Sequence, residues 1–140
     1  MKLSPLLLPI LLLLPLPSLA AETLRPFSSD GCSLFPDGTL FNNELWLSCC
    51  VEHDLRYWRG GSYAERITAD HALEQCVAAR GEAGVAALMY SGVRIGGSPF
   101  WPTLYRWGYG WDFLRGYKPL SADELKQVER ELARAGKSAN

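Results

Sequence analysis

Apolar side chains recur at three- and four-residue spacing along much of this chain, so its dominant pattern is helical. Phe41, Leu45, Trp46, Cys49, Cys50, His53 and Tyr57 trace one face and predict a helix from about Asn43 to Arg59. Gly60-Gly61 stops it. Ser62-Tyr63-Ala64-Glu65 has the form of a capping box, in which Ser caps the first turn and Glu reaches back. It opens a second helix to about Arg80, closed by Gly81, with Ile67, Asp70, Leu73, Cys76 and Val77 on its inner face. Gly84–Val93 is a third, apolar helical stretch. Ser121-Ala122-Asp123-Glu124 is another capping box, with Leu120 and Leu125 placed for a hydrophobic staple. The helix it opens runs to about Ala135 and carries a thin stripe at Leu125, Val128 and Leu132. Turn formers dominate Glu22–Asn43, which is expected to be irregular. Gly96–Tyr117 has no helical period, and Tyr105 to Phe113 alternate with period two, as an extended segment does. The expected fold is all-α, with two long antiparallel helices followed by additional C-terminal helices.

Composition narrows the class. The chain has 140 residues, enough for one domain and too few for two ordinary ones. Met1–Ala20 has the layout of a cleaved secretory signal: Lys2, a Leu-rich run, then Ser18-Leu19-Ala20 at the cut. Its apolar run of about ten residues is short against roughly 30 Å of hydrocarbon. The expectation is therefore a signal peptide over residues 1–20, a single domain over 21–140, and a secreted or periplasmic destination. Losing Lys2 leaves the mature chain more acidic than the formal charge of -1. Such a chain has no positive field to draw nucleic acid. Its five Trp, six Tyr and five Phe argue against disorder.

The four Cys are Cys32, Cys49, Cys50 and Cys76, an even number that with a signal peptide implies two disulfides. Zinc is the rival reading, since these Cys and His53 offer thiolates and an imidazole. Adjacent Cys on a helix point about 100° apart, which suits two partners better than one ion. A two-residue link makes the first two helices an antiparallel hairpin. Counting outward from Gly60-Gly61 brings Cys49 level with Cys76, and His53 level with Asp70. Cys49 then pairs with Cys76, and Cys50 is left for Cys32, which ties the Asp30–Gly38 segment beside Asp54. An Asp opposite a His orients the imidazole and leaves its other nitrogen free as a general base. Asp54 leaves the helix about 100° away from that pair. It faces a loop with a second carboxylate, Asp30, and backbone carbonyls, a donor set suited to a hard cation such as Ca2+. A hydrolytic site follows, in which His53 deprotonates water and the cation polarises an ester carbonyl.

Cys49-Cys50-Val51-Glu52-His53-Asp54-Leu55-Arg56-Tyr57 resembles the active-site helix of the secreted phospholipase A2 family. Asp30-Gly31-Cys32-Ser33 with Pro36-Asp37 resembles the calcium loop of its bacterial and fungal branch, and Ala69-Asp70 with Cys76 resembles its second helix. The resemblance covers roughly Ser29–Ala79. It implies a fold of two long antiparallel, disulfide-linked helices behind an N-terminal calcium-binding loop. It implies His53 as the base acting through water, Asp70 orienting it and Tyr57 in support. Asp54 would be the main Ca2+ ligand, with the Asp30 side chain and the Gly31 carbonyl. The implied activity is Ca2+-dependent hydrolysis of the sn-2 ester of a glycerophospholipid at a membrane or micelle surface. The stretch Ser33-Leu34-Phe35-Pro36 departs from the Gly-rich loop of animal members, and Arg56 and Ala69 stand where those members have a further Cys pair. The alternative is a catalytically inactive module of the same scaffold that binds lipid or protein.

Other features read more plainly. His71 is expected at the surface, and Asp37 as a turn residue. Arg56, Arg59 and Arg66 are read as solvated faces. The aromatic stretch from Phe100 to Phe113 is either core or a membrane-interface belt.

Overall fold

The computed structural model of the protein describes residues 22–138, so the expected leader lies outside the described residues. Four helices make up the regular structure of the described residues: α1 (Leu47–Arg59), α2 (Tyr63–Ala78), α3 (Ala83–Gly96) and α4 (Ala122–Ser138). None of the described helices is long and apolar enough to cross a membrane.

α1 begins four residues later than the apolar spacing suggests. The backbone of the preceding segment is spent on a knot of turns: Thr39 N–H donates to Asn42 O at 2.7 Å and Trp46 N–H to Asp37 O at 3.0 Å. Phe41, expected on the helix face, is fully exposed in that knot. Both capping boxes form. Ser62 Oγ accepts the Glu65 N–H at 3.2 Å while the Glu65 carboxylate takes the Ser62 N–H at 2.7 Å. Ser121 and Glu124 repeat the exchange at 3.3 and 2.7 Å. α3 runs to Gly96, beyond the expected end at Val93.

α1 and α2 meet in reversed order along the chain. Cys49 is bonded to Cys76 with Cα atoms 5.7 Å apart, His53 meets Asp70, and Tyr57 meets Arg66. The second disulfide, Cys32–Cys50, has a Cα separation of 5.1 Å and fastens the N-terminal loop to α1. All four sulfurs are thereby paired, which removes the thiolates that the zinc reading needs. Leu73 and Val77 of α2 pack with Ala86 and Met89 of α3 around these bridges.

The segment after α3 is not extended, contrary to its period-two alternation. It coils in turns, with Gly108 at φ 74°. The reason lies at the end of α1, whose last carbonyls have no partner within the helix. Gly108 N–H donates to Tyr57 O at 2.7 Å, Gly110 N–H to Trp58 O at 3.1 Å and the Trp111 indole to Arg59 O at 2.7 Å. The aromatic loop is a cap for α1. Gly60 must be glycine here, because its φ is 68° and a Cβ would lie 2.9 Å from the Gly108 Cα. Trp58 and Trp111 are fully buried, with Leu24 and Val128 of α4. Truncating either Trp to Ala costs ~3–5 kcal/mol. Leu125 and Leu132 stay more than one-third exposed, so the buried stripe of α4 narrows to Val128.

Candidate active site

Four-residue spacing puts Cys49, His53 and Tyr57 in one row on α1, and the Cys49–Cys76 bond fixes the register of that row against α2. Asp70 of α2, wholly inaccessible to solvent, then lies under the imidazole. His53 Nε2 is 2.9 Å from Asp70 Oδ1, and the Tyr57 hydroxyl donates to the same oxygen at 2.7 Å. The His53 and Tyr57 rings are in contact, with centroids 4.2 Å apart. A carboxylate acceptor assigns the proton to Nε2 and leaves Nδ1 as the basic nitrogen. Burial pushes the Asp70 carboxyl up. Hydrogen bonds from His53, Arg94 and Tyr57 outweigh this and hold it below the usual carboxylate range. Tyr57 shifts the other way: burial and the neighbouring Asp70 charge raise it, so it stays a neutral donor.

Asp54 occupies a different setting. It is buried, and the Ser29 hydroxyl donates to its Oδ2 at 2.6 Å. Burial raises its carboxyl to about 6, Ser29 opposes this, and the Asp30 charge adds to it. Asp30 is exposed and takes the Ser33 hydroxyl at 2.7 Å. The Gly31 carbonyl accepts the Ser33 N–H at 3.2 Å, and Gly31 has φ 78°. Asp37 does more than turn the chain, since its Oδ1 accepts the Cys32 N–H at 2.7 Å and so shapes this loop. Among the described residues no three His, Cys, Asp or Glu side chains converge as a metal cluster. Beside Asp54 stand the Ser29 hydroxyl and the Asp30 carboxylate, both oxygen donors. That chemistry fits a hard cation and not a soft one.

A cavity of about 340 Å³ opens on both groups. His53 and Asp54 line it together with Phe35 from the loop and Leu88, Met89 and Val93 from α3. An apolar trough ending at an imidazole and a desolvated carboxylate can hold a hydrocarbon chain and present a polar bond to a base.

His53, Asp70, Tyr57 and Asp54 thus lie where the residue spacing puts them, with Asp30 and Gly31 in the adjoining loop. His71 is exposed as expected. Arg66 is a correction. It is buried, not solvated, with Nε donating to the Tyr57 hydroxyl at 3.0 Å and Nη1 to the Tyr117 hydroxyl at 2.5 Å. Arg94 was not singled out by sequence, yet its Nη1 donates to Asp70 Oδ2 at 2.5 Å. The signal for Arg66 was present: it lies four residues before Asp70, on the same face. Arg94 had none, because its partner is far along the chain. In comparisons with known proteins, no family model, no curated protein and no solved structure matches this chain.

Proposed function

We propose that this protein is a secreted or periplasmic phospholipase A2-like hydrolase that cleaves the sn-2 ester of glycerophospholipids in a Ca2+-dependent reaction. One observation carries the reading: a buried His53–Asp70 pair at 2.9 Å stands at an apolar trough, with the desolvated Asp54 carboxylate beside it. The Cys49–Cys76 crosslink between α1 and α2 and the Cys32–Cys50 tether of the N-terminal loop also support this reading. Asp30-Gly31-Cys32-Ser33 with Pro36-Asp37 would be the calcium loop.

In this mechanism His53 Nδ1 takes a proton from water as its oxygen attacks the acyl carbon. Asp70, kept charged, stabilises the imidazolium and fixes the ring. The bond from the acyl carbon to the glycerol oxygen breaks, and His53 returns the proton to that oxygen. The products are a fatty acid and a lysophospholipid. Asp54 and Asp30, with the Gly31 carbonyl, would hold Ca2+, which supplies positive charge for the ester carbonyl oxygen.

The rim of the trough supports a lipid surface as partner. Leu34 and Leu88 line it and are 90% and 61% exposed. Leu34 also has φ 59°, a costly conformation for a leucine held out in water. Two disulfides suit an oxidising compartment.

Binding without turnover is the second reading. It is favoured by the Asp30 carboxylate and Gly31 carbonyl, which both already accept hydrogen bonds from Ser33. Fatty-acid release from phospholipid vesicles decides between the two. The hydrolase reading expects release that needs Ca2+, stops with chelator and is lost in His53→Gln. Vesicle binding with no release, equal in wild type and His53→Gln, supports the second reading and overturns the first.

A further inference from the structure

We propose that Arg94 is a positioning residue for His53, acting through Asp70; the proposal rests on the hydrolase reading above. The two oxygens of Asp70 are divided between two tasks. Oδ1 receives His53 Nε2 and the Tyr57 hydroxyl. Oδ2 receives Arg94 Nη1 at 2.5 Å, with Arg66 Nε 3.7 Å away. A carboxylate at the end of a short side chain can swing about χ2 and present either oxygen, or a point between them. A guanidinium on Oδ2 removes that freedom, because turning the carboxylate would break a charge-assisted bond.

Arg94 is itself held from several sides. Its Nη2 donates to the Tyr63 hydroxyl at 3.1 Å, and its guanidinium carbon lies 5.5 Å from the centre of that ring. Its backbone is fixed by Arg66, whose Nη2 donates to the carbonyls of Val93 and Arg94 at 2.8 and 2.9 Å. These are carbonyls of the last turn of α3, which a side-chain donor caps. Arg66 also reaches the Tyr57 hydroxyl, so one guanidinium of α2 braces the donors on both sides of the Asp70 carboxylate, Tyr57 of α1 and Arg94 of α3. Val93, the neighbour of Arg94, lines the trough. The helix that walls the trough is therefore the helix that sets the catalytic imidazole.

The test compares Arg94→Met and Arg94→Lys with wild type by two readouts. The first is the downfield NMR resonance of the His53 Nε2 proton in the bond to Asp70, which needs no turnover. The second is vesicle hydrolysis, separated into kcat and KM. In Arg94→Met the resonance should shift or broaden. kcat should fall up to about 100-fold with KM within about twofold, the cost of a misplaced catalytic group. Arg94→Lys keeps a charge for Oδ2 but cannot also reach Tyr63, so it should recover most of the resonance and part of kcat. An unshifted resonance with undiminished kcat in Arg94→Met overturns the proposal. If Arg94→Met does not fold, Arg94→Gln also removes the charge-assisted bond to Asp70 Oδ2, and a folded Arg94→Gln with wild-type kcat and resonance overturns the proposal too. Failure of the hydrolase reading looks different: wild type then shows no fatty-acid release, while the resonance still reports whether Arg94 fixes His53.

Discussion

His53 and Asp54 are consecutive in α1, yet their side chains leave the helix about 100° apart and end in opposite electrostatic settings. Behind His53 is an acid that donors from three residues keep charged. Asp54 has a single hydroxyl donor, a neighbouring negative charge and little water. One position suits a group that must accept and return a proton. The other is a carboxylate that lacks compensation, and a cation would supply it.

The first prediction concerns that compensation. Folding raises the Asp54 carboxyl from 3.8 to about 6. A raised acid contributes stability that is present below 3.8 and lost as pH climbs through about 6. In chelator, the wild type should lose up to about 3 kcal/mol relative to Asp54→Asn between those limits. Added Ca2+ should restore the wild type above pH 6 and leave Asp54→Asn unmoved. Thermal melts of both proteins across pH, with chelator and with Ca2+, check this. Identical pH profiles for the two proteins would refute it.

The second prediction separates the base of the site from the acid behind it. Asp70→Asn keeps the shape but offers His53 a neutral partner and leaves Arg66 and Arg94 without their shared counter-charge. Breaking a buried ion pair by removing one partner costs ~3–5 kcal/mol. Asp70→Asn should therefore lose both activity and stability. His53→Gln should lose activity and keep a melting temperature near wild type. Equal melting temperatures for Asp70→Asn and wild type would show that the arginines do not depend on Asp70.

The third prediction uses Tyr57→Phe. The hydroxyl donates to Asp70 and accepts from Arg66 Nε, so the change strands one buried donor and removes another. A loss of ~1–3 kcal/mol is expected for an unsatisfied buried group. Activity should fall much less than in His53→Gln, because His53 Nε2 still reaches Asp70 Oδ1. Chemical denaturation and vesicle assays on the same preparations test both halves.

The hairpin was legible in the sequence because its information is local. Spacing of four along α1, a Gly-Gly stop and a capping box set a register, and the register set both disulfides and the His53–Asp70 pair. The aromatic segment misled for the opposite reason. Its alternation reads as a strand, but Trp107 and Trp111 are spent on covering the end of α1, and no local pattern announces a cap for a distant helix. Arg66 was misread because an arginine on a helix is usually solvated. Its spacing of four from Asp70 is the local signal, but the partners that complete its burial, Tyr117 and the carbonyls of α3, lie elsewhere in the chain. Arg94 was invisible for the same cause.

The last prediction sets two glycines of α3 and its C-cap against each other. Around Gly84 a Cβ would meet nothing within 4 Å, and the residue is helical. Gly84→Ala should stabilise by roughly 0.5–1 kcal/mol, through the unfolded chain and helix propensity alone. Gly97 has an ordinary φ of -86°, so alanine is allowed by its backbone. Yet a Cβ there would lie 2.6 Å from the Tyr57 hydroxyl oxygen and 2.8 Å from the Val93 carbonyl. Gly97→Ala must push Tyr57 or the end of α3 aside. Overpacking of this kind costs ~1–3 kcal/mol. Both displaced groups touch the Asp70 network, so the rate of vesicle hydrolysis should fall in Gly97→Ala and hold in Gly84→Ala. A Gly97→Ala protein with wild-type stability and rate would show that the end of α3 is not held tightly against Tyr57.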